Sequence, residues 1–191
     1  MKAVDVPKLI ARLLRQSLED GSNVELDGLG TFVPGTSEGF RFIAQTQARV
    51  FIAYVEEDLA AAFKLYDSLA DAGLDPWMDK KKLLPGQNWP RAIENAIQSA
   101  NFVVALFSRK SVLKRGSFQC ELRYAMQCAL RIPLDEIFLI PVRLEPCAVP
   151  ARITKRIHYV NLFPCWNTGF EKILKTMSDQ EEKLRRKLLT G

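Results

Sequence analysis

Few side chains in this sequence of 191 residues have the types and spacing to do chemistry. His158 is its only imidazole, so a Ser-His-Asp or Cys-His site would have to be built around that residue. Cys120, Cys128, Cys147 and Cys165 include no Cys-x-x-Cys pair and no zinc spacing, so no metal site is expected. Scattered thiols of this kind are expected to be reduced core cysteines in a reducing compartment. Carboxylates and lysines remain. Glu121 directly precedes an amphipathic run, where a first-turn carboxylate would gain about 0.3–1 kcal/mol from the helix dipole. A capping box would need Ser, Thr, Asp or Asn three positions earlier, and that position is Phe118. Lys80, Lys81 and Lys82 lie in a polar stretch and suit either anion steering or a solvated loop.

The composition sets the frame for these groups. Hydrophobic residues make up 48% and charged residues 26%, which is ordinary for a folded chain and argues against disorder. The length fits one domain, or one plus a small appendage. A net charge of +5 is too mild to argue for nucleic acid or membrane. The start, Met-Lys-Ala-Val-Asp-Val-Pro-Lys, has no apolar signal core, and no apolar run approaches the ~20 residues that span a bilayer. The expectation is a soluble cytoplasmic protein with no membrane partner.

Two patterns divide the chain. In residues 1–48, Leu9, Ile10, Leu13, Leu14 and Leu18 recur at helical spacing, with Pro7 at the start and Gly21 as a stop. Val24 to Asp27, Thr31 to Val33 and Phe40 to Ile43 alternate like short antiparallel strands, with turn signals at Gly28, Gly30 and Pro34-Gly35. This segment reads as a small α+β element.

From Arg49 the pattern changes to strands alternating with helices. Val50 to Tyr54, Leu74 to Met78, Phe102 to Phe107, Ile137 to Val142 and Ile157 to Val160 read as strands. Helical runs carry Leu59, Ala62, Phe63, Tyr66 and Leu69, then Trp89, Ile93, Ala96, Ile97 and Ala100, then Leu122, Ala125, Met126 and Ala129. A last one begins with Phe170, Ile173, Leu174 and Met177. Asp79 to Asn88 and Ser108 to Gly116 read as loops. Near-continuous apolar strands between amphipathic helices imply an α/β fold with a doubly wound parallel sheet, covered on both faces. Its ligand crevice should lie at the C-terminal ends of the strands. Residues 178–191 read as a charged helix end or tail.

Residues 49–177 carry six pieces in one order: Val50-Phe51-Ile52-Ala53-Tyr54 with Glu57-Asp58, Gly73 to Asp79, Leu84-Pro85-Gly86-Gln87-Asn88-Trp89, Ile93 to Ala100, Val104 to Ser108, and Gly116 to Ala125. In this order and spacing they resemble the TIR domain family. The resemblance implies a flavodoxin-like, five-stranded parallel sheet. It also implies an NAD+ nucleosidase that cuts the nicotinamide–ribose bond, in the setting of bacterial antiphage defence. The products would be nicotinamide and ADP-ribose, or a cyclic or transferred ADP-ribose. The alternative is a non-catalytic TIR interaction module.

In the enzymes of the family a glutamate at the start of the third helix is catalytic, and Glu121 matches it. Nicotinamide leaves as a neutral group, so its departure needs little acid. It does need a carboxylate to hold the ribose hydroxyls and to stabilise the oxocarbenium-like charge. The resemblance places Tyr54, Val55 and Glu56 at the nicotinamide and ribose end of NAD. It places Asp79, Leu84, Gly86 and Trp89 in the closing loop and the next helix start. Ser117 stands four residues before Glu121, where the family carries an aromatic, and Ala53 stands where it carries a serine. The missing aromatic bears on product choice. NAD is substrate here and no resident cofactor is implied. The apolar Leu83, Leu84 and Pro85 beside the lysines point to a homo-oligomer in the active state, and a defence-system partner protein is a further expectation.

Within residues 1–48, Gly21 to Phe32 resembles the HU and integration-host-factor family. That family grips DNA with basic β-arms, which have no counterpart in the segment. Six cationic residues through Arg49 balance six anionic ones, leaving no footprint for counterion release. A dimerisation or docking element is therefore expected, and DNA is not an expected partner.

Overall fold

The computed structural model describes residues 15–26, 30–34, 39–44 and 47–190. The expected helix face of Leu9, Ile10, Leu13 and Leu14 and the turns at Gly28 and Gly35 lie outside those residues. The chain forms two compact units, residues 1–46 and 47–190. In the first, residues 15–19 are helical and Gly21, at φ 77°, follows their end. Strands β1 (Val24–Leu26), β2 (Gly30–Pro34) and β3 (Phe40–Ala44) pair antiparallel in that order. Phe32 stands opposite Phe42 in the ladder, with ring centroids 4.7 Å apart. Such an aromatic cross-strand pair helps fix the register.

The second unit is built on five parallel strands: β4 (Arg49–Ala53), β5 (Asp75–Trp77), β6 (Phe102–Phe107), β7 (Leu139–Arg143) and β8 (Val160–Asn161). Their spatial order is β5-β4-β6-β7-β8. This is the flavodoxin-like doubly wound sheet, and the strand order reverses beside β4. All six residues of β6 are buried because both of its faces are covered. On one face Val50, Ile52, Val104 and Leu106 pack with Ala62, Leu65 and Leu69 of α1 (Leu59–Asp71) and with Ile173 and Met177 of the last helix. On the other, Phe51, Ala53, Val103, Ala105 and Phe107 meet Ile93 and Ile97 of α3 (Trp89–Ser99) and Leu122 and Ala125 of α5 (Ser117–Ala129). The period-two alternation of the strands thus divides one apolar run between two cores.

Two stretches expected as loops contain helical turns. Asp79–Lys82 forms α2, with its acidic residue first and its lysines last, as the helix dipole favours. Arg109–Leu113 forms α4 because Ser108 and Ser111 cap it reciprocally, each side chain taking the other's backbone N–H. Asn88 caps α3 by accepting from the backbone N–H of Arg91 at 3.1 Å, with Pro90 in the first turn. The short α6 (Ala151–Thr154) buries Ile153. The final helix, α7 (Trp166–Thr190), runs without a break past residue 177, and Gln180 beyond it is buried.

Some boundaries move. The fifth strand starts at Val160, while Ile157 packs into the α3–α5 core from a connection. The expected core thiols are corrected: Cys120 and Cys165 are exposed, and Cys128 and Cys147 are only half-buried. Cys128 and Cys147 pack against the margin of the α3–α5 core, Cys120 lies on the open face of α5, and Cys165 precedes α7. Among the described residues no helix is long and apolar enough to cross a membrane.

Candidate functional site

A cleft lies at the C-terminal ends of β4 and β5, roofed by the segment before α5 and its first turns. Tyr54 and Val55, buried just after β4, lead to a 3-10 turn (Glu56–Asp58). Asp79 enters from the start of α2 and Ile93 from α3. Ser117, Phe118 and Glu121 come from the first turns of α5, preceded by Lys114 and Arg115. These side chains line a cavity of about 110 Å³.

A short contact organises its inner end. The Tyr54 hydroxyl donates to Asp79 Oδ1, which also accepts from the backbone N–H of Lys80 at 2.8 Å. Burial first, then this bond and the charges of Asp79, Glu56 and Glu121, hold the Tyr54 phenol far above its ordinary range. Tyr54 is therefore a neutral donor at any physiological pH. Glu121 is partly buried in the same cleft. Burial, and secondarily the charge of Asp79, push its carboxyl from the ordinary 4.5 up to about 7. A cleft that holds a carboxylate at such a value is a candidate site on physical grounds.

The walls are braced from outside. Ser108 Oγ donates to Asp58 Oδ2 at 2.7 Å, tying the turn after β4 to the end of β6. Lys114 Nζ lies 2.6 Å from both carboxylate oxygens of Glu57, holding the segment before α5 against that turn. Trp77 stacks on Phe51, with centroids 5.1 Å apart, and forms part of the cleft wall. Phe118 packs edge-on against Phe107 at 5.7 Å.

Of the residues singled out from sequence, Tyr54, Val55, Glu56, Asp79, Ser117 and Glu121 share this cleft. Trp89 does not line it. It is 46% exposed and lines an adjoining apolar groove between α3 and α5, about 430 Å³ in volume, with Ile97 and Tyr124. Ile93, Ser117 and Glu121 border both spaces, so cleft and groove adjoin. Leu84 and Gly86 line neither; Leu84 is 69% exposed on the segment between α2 and α3. Ala53 is buried in the α3–α5 core and places no hydroxyl at the cleft. His158 is exposed and lines neither space.

Sequence reasoning missed Lys114 and Arg115 as cleft residues. Their signal was present as a basic stretch just before the helix that carries Glu121. The lysine run instead turns outward into ion pairs: Lys80 with Glu56 at 3.2 Å, Lys81 with Asp67 at 3.7 Å and Lys82 with Asp75 at 3.4 Å.

Comparison with known proteins places residues 50–174 in one family. The family described as TIR domain matches residues 50–174. A curated relative, the uncharacterized protein y4cD of Sinorhizobium fredii, is 28% identical over 126 residues, which are 66% of this chain and 19% of that one. The chain thus spans about a fifth of that relative's length. The TIR domain of a Toll-related receptor from Hydra magnipapillata superposes with a TM-score of 0.57 at 19% identity, covering 68% of this chain and 97% of that one. A prokaryotic SEFIR domain gives 0.53 at 14% identity, covering 69% and 92%. At these identities the structures speak for the fold.

Proposed function

The chain belongs to the TIR domain family, and we propose that it is an NAD+ nucleosidase that cleaves the nicotinamide–ribose bond with Glu121 as its catalytic carboxylate. The observation that carries this reading is Glu121 itself. It sits partly buried beside the Tyr54–Asp79 pair rather than on an open helix end, in a cleft with three acidic side chains. A cationic nicotinamide ring is the kind of group such a cleft attracts.

When the glycosidic bond breaks, its electron pair leaves with nicotinamide, which becomes neutral. The ribose carbon takes on oxocarbenium-like positive charge. The Glu121 carboxylate faces that charge and accepts hydrogen bonds from the ribose hydroxyls; fixed groups of this kind are each worth about 10²–10³ in rate. Tyr54, kept protonated by burial and by Asp79, supplies a fixed donor. The inner cavity of about 110 Å³ is small beside typical ligand pockets of roughly 300–1,000 Å³. It takes the reacting end, and the rest of NAD lies outward. Water, or a nucleophile on the substrate or on another molecule, then takes the ribosyl group, giving ADP-ribose or a cyclic or transferred product.

A constitutive enzyme of this kind would exhaust its host's NAD, which supports a gated role such as antiphage defence. Exposed Leu84 suits a gate closed by a second copy of the chain. The test is incubation of purified protein with NAD, dilute and concentrated, with mass spectrometry of the products. Nicotinamide should appear, and Glu121→Ala should abolish its release. Equal release by the variant would refute the assignment. No release at any concentration would favour the interaction-module reading.

A further inference from the structure

We propose that Arg115 is the residue that binds the anionic, diphosphate end of the substrate, and so fixes which way the dinucleotide enters the cleft. This inference rests on the NAD reading above and adds to it a residue and a polarity.

The argument is one of charge placement. Asp79 and Glu121 make the inner end of the cleft acidic, while Glu56 is paired with Lys80 at 3.2 Å. That suits the cationic nicotinamide ribose and opposes a diphosphate with two negative charges. The anionic part of the substrate needs a cation at the mouth. The cationic side chains that line the cleft are Lys114 and Arg115. Lys114 is already neutralised, with Nζ 2.6 Å from both oxygens of Glu57. Lys80, Lys81 and Lys82 are paired with Glu56, Asp67 and Asp75 and line neither cleft nor groove. Arg115 has no hydrogen-bond or ion-pair partner among the described residues. Its guanidinium offers five donors in a planar fork matched to phosphate oxygens.

Arg115 also stands in the right place along the substrate. It precedes Gly116, which borders the apolar groove, and Ser117, which borders both groove and cleft. A diphosphate held there lies at the junction of the two spaces, and the reacting ribose points inward to Glu121. Lys114 has a supporting role, because its pair with Glu57 pins the segment and aims the next residue at the mouth.

The experiment compares NAD with nicotinamide riboside, which carries the same scissile bond and no phosphate. In Arg115→Gln the ratio of kcat/KM for NAD to that for the riboside should fall about 10- to 100-fold, mostly through KM for NAD. Arg115→Lys should recover part of the loss, since it restores a point charge and not the fork. Arg123→Gln, an equal charge change at an exposed position outside the cleft, should leave the ratio unchanged. A second arm needs no turnover: calorimetry of ADP-ribose binding to the whole chain. Arg115→Gln should weaken it at least 10-fold and flatten its salt dependence. If NAD is cleaved but neither the ratio nor ADP-ribose affinity responds to Arg115→Gln, the present inference is overturned and the nucleosidase reading stands. If nothing is cleaved but ADP-ribose binding depends on Arg115, the catalytic reading fails and the binding assignment stands. If wild type neither cleaves NAD nor binds ADP-ribose, both fail.

Discussion

Replacing Glu121 by Gln should abolish turnover and at the same time make the protein more stable above neutral pH. The two effects share one cause. In the folded chain the Glu121 carboxyl ionises at about 7, against an ordinary value of 4.5, because burial and then the charge of Asp79 disfavour its anion. The folded state therefore holds the proton more tightly than the unfolded state. Its stabilising contribution is fully present below about pH 4.5, declines as pH rises, and is gone above about 7. Each pH unit of such a difference is worth about 1.4 kcal/mol, so the ionised group costs about 3 kcal/mol at pH 8. Gln has nearly the same shape and never carries the charge. For a chain of this size about 3 kcal/mol corresponds to roughly 6–12 °C in Tm.

Thermal melts of both proteins at pH 5 and pH 8, beside nicotinamide release, test this directly. Glu121→Gln should melt well above wild type at pH 8, with a much smaller gap at pH 5, and should release no nicotinamide at either. A gap of the same size at both pH values, or a variant less stable at pH 8, would refute the electrostatic reasoning. A stable, inactive variant would show a charge retained at a cost to folding, as sites kept for function are.

Other perturbations read out different parts of the structure. Asp79→Asn removes the second cause of the Glu121 shift while keeping an oxygen for the Tyr54 hydroxyl. The rising limb of kcat/KM against pH, expected near 7 in wild type from the Glu121 carboxyl, should therefore move to lower pH in the variant, and an unmoved or raised midpoint would contradict the assignment. A Cβ at Gly169 would stand 2.2 Å from the Asn161 backbone oxygen and 2.9 Å from Leu162 Cα. Gly169→Ala should thus cost about 1–3 kcal/mol or more, and a melt within a degree of wild type would show that α7 can shift off β8 cheaply. Leu84→Asp should reduce both turnover and the particle size seen by light scattering during turnover. Full activity from a strictly monomeric sample would end the assembly idea.

The sheet was legible because its signal is dense. Phe102 to Phe107 has no polar residue, and a strand buried on both faces can be read from that alone. The helices of both layers followed from their spacing, with Ala62 and Leu69 on one side and Ile93 and Ile97 on the other, while Leu65, fully buried beside them, was not singled out. The short helix after β6 was not legible. Its apolar content is slight, and what makes it a helix is a reciprocal Ser108–Ser111 cap, which composition renders as a polar loop. The lysines left two readings open, an anion site or a solvated loop, for a related reason. Three adjacent cations look like an anion site, but partners from α1, β5 and the turn after β4 fold onto them, and those contacts are 7, 14 and 24 residues distant in sequence. The cations that line the cleft, Lys114 and Arg115, lie in a basic stretch of the same kind, with Arg109 and Lys110 just before them.

The missing aromatic before Glu121 shows how a helix face carries more information than a single position. Ser117, Cys120, Glu121 and Tyr124 all line the apolar groove, which is the i, i+3, i+4, i+7 stripe of one helix. Phe118, Leu122 and Ala125 lie on the neighbouring stripe and are buried in the core. Glu121 therefore sits at the edge between packed and open faces, where a carboxylate can be largely dehydrated and still meet a ligand. An aromatic at residue 117 would lie one turn before Glu121 on that stripe. Here the aromatic surface lies one turn after it, at Tyr124, whose hydroxyl accepts from Gln98 Nε2 of α3, and across the groove at Trp89. The aromatic surface thus lies in the groove and not at residue 117, which borders both groove and cleft. With Ser117 at the mouth the ribosyl centre is open to water, so the proposed enzyme should yield mainly ADP-ribose.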